Sequence, residues 1–117
     1  MLVATLIRMN QSAIARLNPL DRSAIERIIA PWLCREDAGL KLFGSRARGD
    51  ARRASDIDLA LIAPQPIALA DMALLREALD ESNIPFRVDL VDYASAPAHL
   101  CAAIDCEGIP WPVLTNA

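Results

Sequence analysis

An α/β (α+β) fold, a small β-sheet backed by helices, is predicted by three observations. Hydrophobic periodicity switches between three-to-four and two along the chain, Gly and Pro punctuate the switches, and 117 residues at 54% hydrophobic content suit one domain with one core. A second catalytic domain does not fit, so residues 1–117 read as one unit with its motifs between about 40 and 92. The expected order is helix, strand, turn, strand, helix, strand, helix, with no internal repeat and no low-complexity tract.

The first helix is expected from Arg22 to Cys34, with Asp21 as its N-cap, because Ile25, Ile28, Ile29, Trp32 and Leu33 recur at helical spacing. Pro31 puts its last turn at risk. Leu40-Lys41-Leu42-Phe43 is short, apolar and closed by Gly44, as a buried strand entering a turn should be. Arg46 to Arg53 is polar and can begin as a short helix. Ile57, Leu59 and Leu61 then alternate with Asp56, Asp58 and Ala60, the period of a strand with one apolar face, and Pro64 and Pro66 end it. Leu69, Met72, Leu75 and Leu79 place a second helix within Ala68 to Ser82. Phe86 to Val91 has strand character. A third helix is expected from Pro97 to about Cys106 with Gly108 at its C-terminal cap, and Ile109 to Leu114 as an edge strand, because Pro110 and Pro112 cannot occupy a central one.

Charge and cysteine usage exclude several classes. Twelve basic against fifteen acidic side chains give a net charge of -3, so no global positive field draws in nucleic acid or an anionic membrane. Cys34, Cys101 and Cys106 are odd in number, lack C-x-x-C spacing and follow no signal peptide, which suits buried or idle thiols in a reducing cytoplasm. Met1 to Ile7 is apolar but too short to span a bilayer, so a soluble, cytoplasmic protein is expected.

The chemistry concentrates in Gly44-Ser45, then ten residues, then Asp56-Ile57-Asp58. Along a strand, Asp56 and Asp58 point to one face with Cα atoms about 6 to 7 Å apart, where they can converge on the same metal ions. Mg²⁺ favours one or two carboxylates plus phosphate oxygens, and a second ion can clamp the other side of an in-line phosphoryl displacement. Gly44 lacks a Cβ and allows both a positive φ and close approach of backbone amides to an anion, while Ser45 adds a hydroxyl donor. Asp89 faces away from Val88 and Leu90 and is costly in an apolar strand unless paired or bound to metal, so it is the expected third carboxylate and general base. Asp92 has the parity of the apolar face and reads as a terminus or turn residue. Arg46, Arg48, Arg52 and Arg53 make the intervening loop basic, and either Arg46 or Arg48 can contact a triphosphate or an acceptor; otherwise they belong to a solvated loop, paired with Asp50.

Lys41-Leu42-Phe43-Gly44-Ser45-Arg46-Ala47-Arg48-Gly49-Asp50, Ser55-Asp56-Ile57-Asp58-Leu59 and Val88-Asp89-Leu90-Val91 together resemble the minimal nucleotidyltransferases of the polymerase-beta superfamily, over roughly Leu40 to Leu114. The resemblance implies a mixed β-sheet flanked by helices. It further implies that Asp56, Asp58 and Asp89 hold two Mg²⁺ ions and that Gly44 and Ser45 hold the phosphates of ATP. Relatives of this kind act as the antitoxin opposite an all-helical HEPN ribonuclease toxin, and some transfer AMP to its tyrosine. The implied function is therefore transfer of AMP to a hydroxyl of a helical partner protein, against the alternative of a binding antitoxin that works by occlusion. His99, alone of its kind, and Trp32 and Trp111 read as surface or packing residues, and Ser55 as a brace for the aspartate strand.

Overall fold

Residues 13–113 are described by the computed structural model, so the expectations for Met1 to Ile7 and for Leu114 lie outside the described residues. Helix α1 spans Pro19–Arg35 and differs from expectation at both ends. Its N-cap is Asn18 rather than Asp21: the Asn18 side chain accepts from the Leu20 N–H at 2.8 Å. Pro19 takes the first helical position, where a missing N–H costs nothing, and Asp21 sits in the first turn, favoured by the helix dipole. Pro31 does not break the last turn. It is exposed, while Ile25, Ile29 and Leu33 are locked against the sheet on the opposite face, and their burial outweighs one lost backbone bond.

Strand β1 spans Gly39–Phe43, the one-turn helix α2 Ser45–Arg48, β2 Ile57–Ile62, α3 Leu69–Asp80 and β3 Val88–Asp92. A 3-10 turn, Tyr93–Ser95, leads into α4, Ala98–Glu107, and the short β4, Ile109–Pro110. The sheet order is β3-β2-β1-β4. β1 runs antiparallel to both β2 and β4, and β2 runs parallel to β3, so the sheet is mixed, as the family resemblance implied. Parallel pairing needs a crossover connection, and α3 supplies it.

Strand parity divides the sheet into two faces. Leu40, Leu42, Ile57, Leu59, Leu61, Val88 and Leu90 form one cluster with the buried residues of α1 and α3, including Ile25, Ile29, Met72 and Leu75. Phe43 and Ala60 pack on the other face against Ile104 of α4. Asp58 and Asp89 share the parity of this second face, in register with Phe43.

Both sheet edges are protected. Arg76 of α3 donates Nε and Nη2 to the Leu90 carbonyl of the outer strand β3, at 3.2 and 3.0 Å, and occupies an acceptor that another chain could otherwise use. The opposite edge carries Pro110, in agreement with the expected edge strand. That strand is shorter than expected, because Trp111 turns into the core, 3% exposed, and donates Nε1 to Glu26 at 3.0 Å. Gly108 does end α4, but at φ −63. Its need for glycine is steric: a Cβ there would strike the Ile104 carbonyl.

The cap assignment is testable. Asn18→Ala should cost about 1 kcal/mol in urea denaturation with an unchanged slope; no loss would return the cap to Asp21.

Candidate active site

The site is assembled by strand register. Antiparallel pairing sets Phe43 opposite Asp58, and parallel pairing sets Asp58 opposite Asp89. Neighbouring strands lie about 4.8 Å apart, so two carboxylates leave the same face side by side. Asp56, exposed, lies just before β2 and shares the parity of Asp58. Asp58 and Asp89 therefore leave the face that carries α4 side by side, with Asp56 at the entry to the strand of Asp58. Asp92 lies on the other side: it is buried, ends β3, and accepts from the Ile67 N–H at 2.9 Å and the Ser95 hydroxyl at 2.8 Å, which is the work of a terminus residue.

Gly44 follows Phe43 and brings the turn against Asp58. Its φ of 75° is one that side-chain-bearing residues rarely adopt, and a Cβ would come within 3.0 Å of the Asp58 Cγ and nearer still to Oδ2. Glycine is demanded twice over. Beyond it, the backbone N–H groups of Ser45 and Arg46 and the Ser45 hydroxyl have no hydrogen-bond partner among the described residues. These donors sit beside the carboxylates, an arrangement that suits an anion bridged to them by a cation.

Arg46 and Arg48, expected at the phosphates, have guanidinium groups committed to the scaffold. Arg46 donates to the Ser55 carbonyl at 3.1 and 2.7 Å and to the Asp56 carbonyl at 3.3 Å, and lies 4.7 Å over the Phe86 ring. Those carbonyls precede the ladder of β2, and Arg46 fixes the entry to the aspartate strand. Ser55 braces the same loop, its Oγ accepting from the Arg52 N–H at 2.7 Å. Arg48 pairs with Asp50 at 3.2 Å, as the solvated-loop alternative expected, and also with Glu107 at 3.0 Å. Glu107 was not singled out by sequence. One signal was available: a carboxylate in the last turn of a helix opposes the helix dipole and calls for a compensating partner.

The electrostatics favour a cation. Burial, and after it the charges of Asp89 and Asp56, push the Asp58 carboxyl up to about 6, with Arg48 and Arg46 only partly opposing them. Among the described residues, no three His, Cys, Asp or Glu side chains converge closely enough to enclose a metal ion. An all-carboxylate donor set on a half-buried face, with glycine leaving space beside Asp58, fits a hard divalent ion such as Mg²⁺.

The remaining candidates are structural. His99 is exposed on α4, Trp32 packs at the core margin with Arg35 5.0 Å over its ring, and all three cysteines are free. Cys34 and Cys106 are exposed and Cys101 is half-buried, so of the two expectations, buried or idle, burial does not hold for them. Among the described residues, no helix is long and apolar enough to cross a membrane.

A glycine turn, an Asp-x-Asp strand and a third aspartate on one face of a mixed sheet define a nucleotidyltransferase-type site. Residues 38–110 match the family model "Polymerase beta, Nucleotidyltransferase", and the chain belongs to that family. It is 47% identical over 53 residues to the Haemophilus influenzae protein named "Probable protein adenylyltransferase MntA", a match covering 45% of this chain and 46% of that one. The chain thus spans about half the length of this curated relative. A solved toxin-antitoxin structure with AMP-PNP superposes with a TM-score of 0.60 at 30% identity, covering 78% of this chain and 73% of the other. An MntA-HepT toxin-antitoxin structure gives a TM-score of 0.54 at 26% identity, covering 79% and 71%. A mutant of the same pair, with two aspartates two positions apart replaced by glutamate, gives 0.58 at 26% identity, covering 78% and 73%.

Asp58 gives a pH prediction. Because its native value, about 6, exceeds the ordinary 3.8, the native state keeps a proton that the unfolded chain loses between these values. Metal-free stability attributable to this group is therefore full below about pH 4 and falls as pH rises through about 6. In chelator, Asp58→Asn should melt higher than wild type at pH 7.5 and show no such gain at pH 3.5. Equal melting temperatures at pH 7.5 would contradict the electrostatic account.

Proposed function

We propose that this chain is a Mg²⁺-dependent nucleotidyltransferase that moves AMP from ATP to a hydroxyl of a partner protein. The acceptor is a tyrosine of an all-helical HEPN-type toxin, and the chain acts in the cytoplasm as the antitoxin of the pair. The observation that carries this reading is the register that sets Asp58 beside Asp89 while Gly44 closes against Asp58. Similarity to a protein named as an adenylyltransferase, and to toxin-antitoxin structures including one with AMP-PNP, supports the nucleotide and the class of partner.

Each residue then has a role set by its position. Asp56 and Asp58 hold the divalent ions, and Asp89 completes the set. Held by these carboxylates, the ions would supply neutralisation of phosphate charge for in-line attack at the α-phosphorus. The open Ser45 and Arg46 amides and the Ser45 hydroxyl receive the phosphates. Asp89 takes the proton of the acceptor hydroxyl as its oxygen bonds to phosphorus and pyrophosphate leaves. Arg46, tied to the Ser55 and Asp56 carbonyls, keeps the aspartate strand in register with the turn.

With ATP radiolabelled at the α-phosphate, Mg²⁺ and host lysate, wild type should label a discrete protein, and Asp56→Asn should reduce labelling by about 100-fold or more while folding normally. Equal labelling by Asp56→Asn would remove the metal-site assignment. No labelling by wild type, with the acceptor captured by pull-down, would replace catalysis by a binding antitoxin acting through occlusion.

A further inference from the structure

Glu107 reaches the Gly44-Ser45 turn from the far end of the chain. Its Oε2 accepts the Gly44 N–H at 3.2 Å, and both of its oxygens lie 3.0 Å from the Arg48 Nη1. Gly44 is thereby held from two sides, its amide against Glu107 and its Cα against the Asp58 carboxylate. Arg48, one turn further along α2, is held by the same carboxylate. Two points of a single four-residue helix and its entry are thus pinned by one side chain.

The carboxylate is rigidly presented. The Gly108 N–H caps the Ile104 carbonyl at 2.8 Å, a Cβ on Gly108 would strike that carbonyl and lie 3.0 Å from the Lys41 side chain, and Ile109 pairs directly with Leu42 of β1. Glu107 therefore stands between α4 and a strand hydrogen-bonded to the one that delivers Gly44. A side chain anchored at both ends in the scaffold suits a brace better than a gate.

We infer that Glu107 is a positioning residue for nucleotide: by fixing the Gly44 amide and Arg48, it aims the open Ser45 and Arg46 amides at the phosphates beside Asp58. The inference rests on the nucleotidyltransferase reading, and its effect falls on substrate binding, because Glu107 touches no reacting atom. Its carboxylate takes up the Gly44 N–H and Arg48, so these serve the turn, and the phosphates fall to the Ser45 and Arg46 amides.

The test compares wild type, Glu107→Gln and Glu107→Ala in three measurements: ATP titration with Mg²⁺, steady-state transfer, and hydrogen exchange at the Gly44 amide. Glu107→Ala should expose the Gly44 amide and raise KM for ATP about tenfold, with kcat within about twofold. Glu107→Gln keeps an acceptor for Gly44 but loses the charge facing Arg48, so it should restore much of the amide protection and fall between the two in KM. Unchanged KM and affinity in Glu107→Ala would overturn the inference while leaving the nucleotidyltransferase reading intact. Tighter ATP binding in Glu107→Ala would overturn it too, by making Glu107 a competitor of the phosphates. Loss of kcat and melting temperature together, without a KM effect or rescue by Gln, would reduce Glu107 to a fold contact. A wild-type chain that binds no ATP would sink the parent reading and this role with it.

Discussion

Two carboxylates placed side by side on parallel strands repel each other, and the rest of this fold is arranged around holding Asp58 and Asp89 in that position. Holding Asp58 there, where burial first and then the charges of Asp89 and Asp56 act on it, pushes its carboxyl up to about 6. The cost stays below about 3 kcal/mol, the undiscounted value of that rise, because the group is only half-buried and solvent screens it. Ile57 and Leu59 on either side of Asp58 are fully buried and contribute about 1.5 to 3 kcal/mol each, enough to hold the strand in place. The same chain segment thus supplies the strain and the packing that offsets it, one on each face of the sheet.

This separation of faces explains how a small domain carries an acidic site without losing its core. Helices α1 and α3 pack on the apolar face together with Ile14, Leu17 and Trp111, while α4 packs on the other, where Asp58 and Asp89 stay half-buried and Asp56 exposed. Around them lies a second layer of ties built from basic and acidic side chains. Arg46 holds the loop before β2, Arg48 and Glu107 hold α2, and Arg76 closes the outer edge of β3. Among the described residues, these three arginines are tied to the protein's own backbone and carboxylates.

Much of this was legible in the sequence, for reasons that differ by residue. The placement of Gly44, Asp58 and Asp89 was readable because it follows from local rules: glycine for a positive φ, period two along a strand, opposite parity for Asp89. Strands β1, β2 and β3 and helix α3 were marked by clean periodicity between breakers. The N-cap at Asn18 was missed although Asn-Pro is itself a start signal, because the apolar repeat begins further along. The length of β4 depended on Trp111 finding Glu26, a tertiary contact with no local signature. The guanidinium partners of Arg46 and Arg48 were equally nonlocal: basic residues beside a phosphate motif suggest substrate contacts, yet unpaired loop carbonyls and the distant Glu107 claim them in the structure.

The central claim is that Asp56, Asp58 and Asp89 form one divalent-metal site facing the Gly44-Ser45 turn. The most direct measurement is anomalous diffraction from crystals grown with Mn²⁺ and a non-hydrolysable ATP analogue. The account predicts two manganese peaks about 3.5 to 4 Å apart, both within coordination distance of Asp56 and Asp58, with Asp89 reaching one of them and the analogue's phosphates against the Ser45 amide. Peaks at other carboxylates, or bound analogue with no metal at these three, would contradict it.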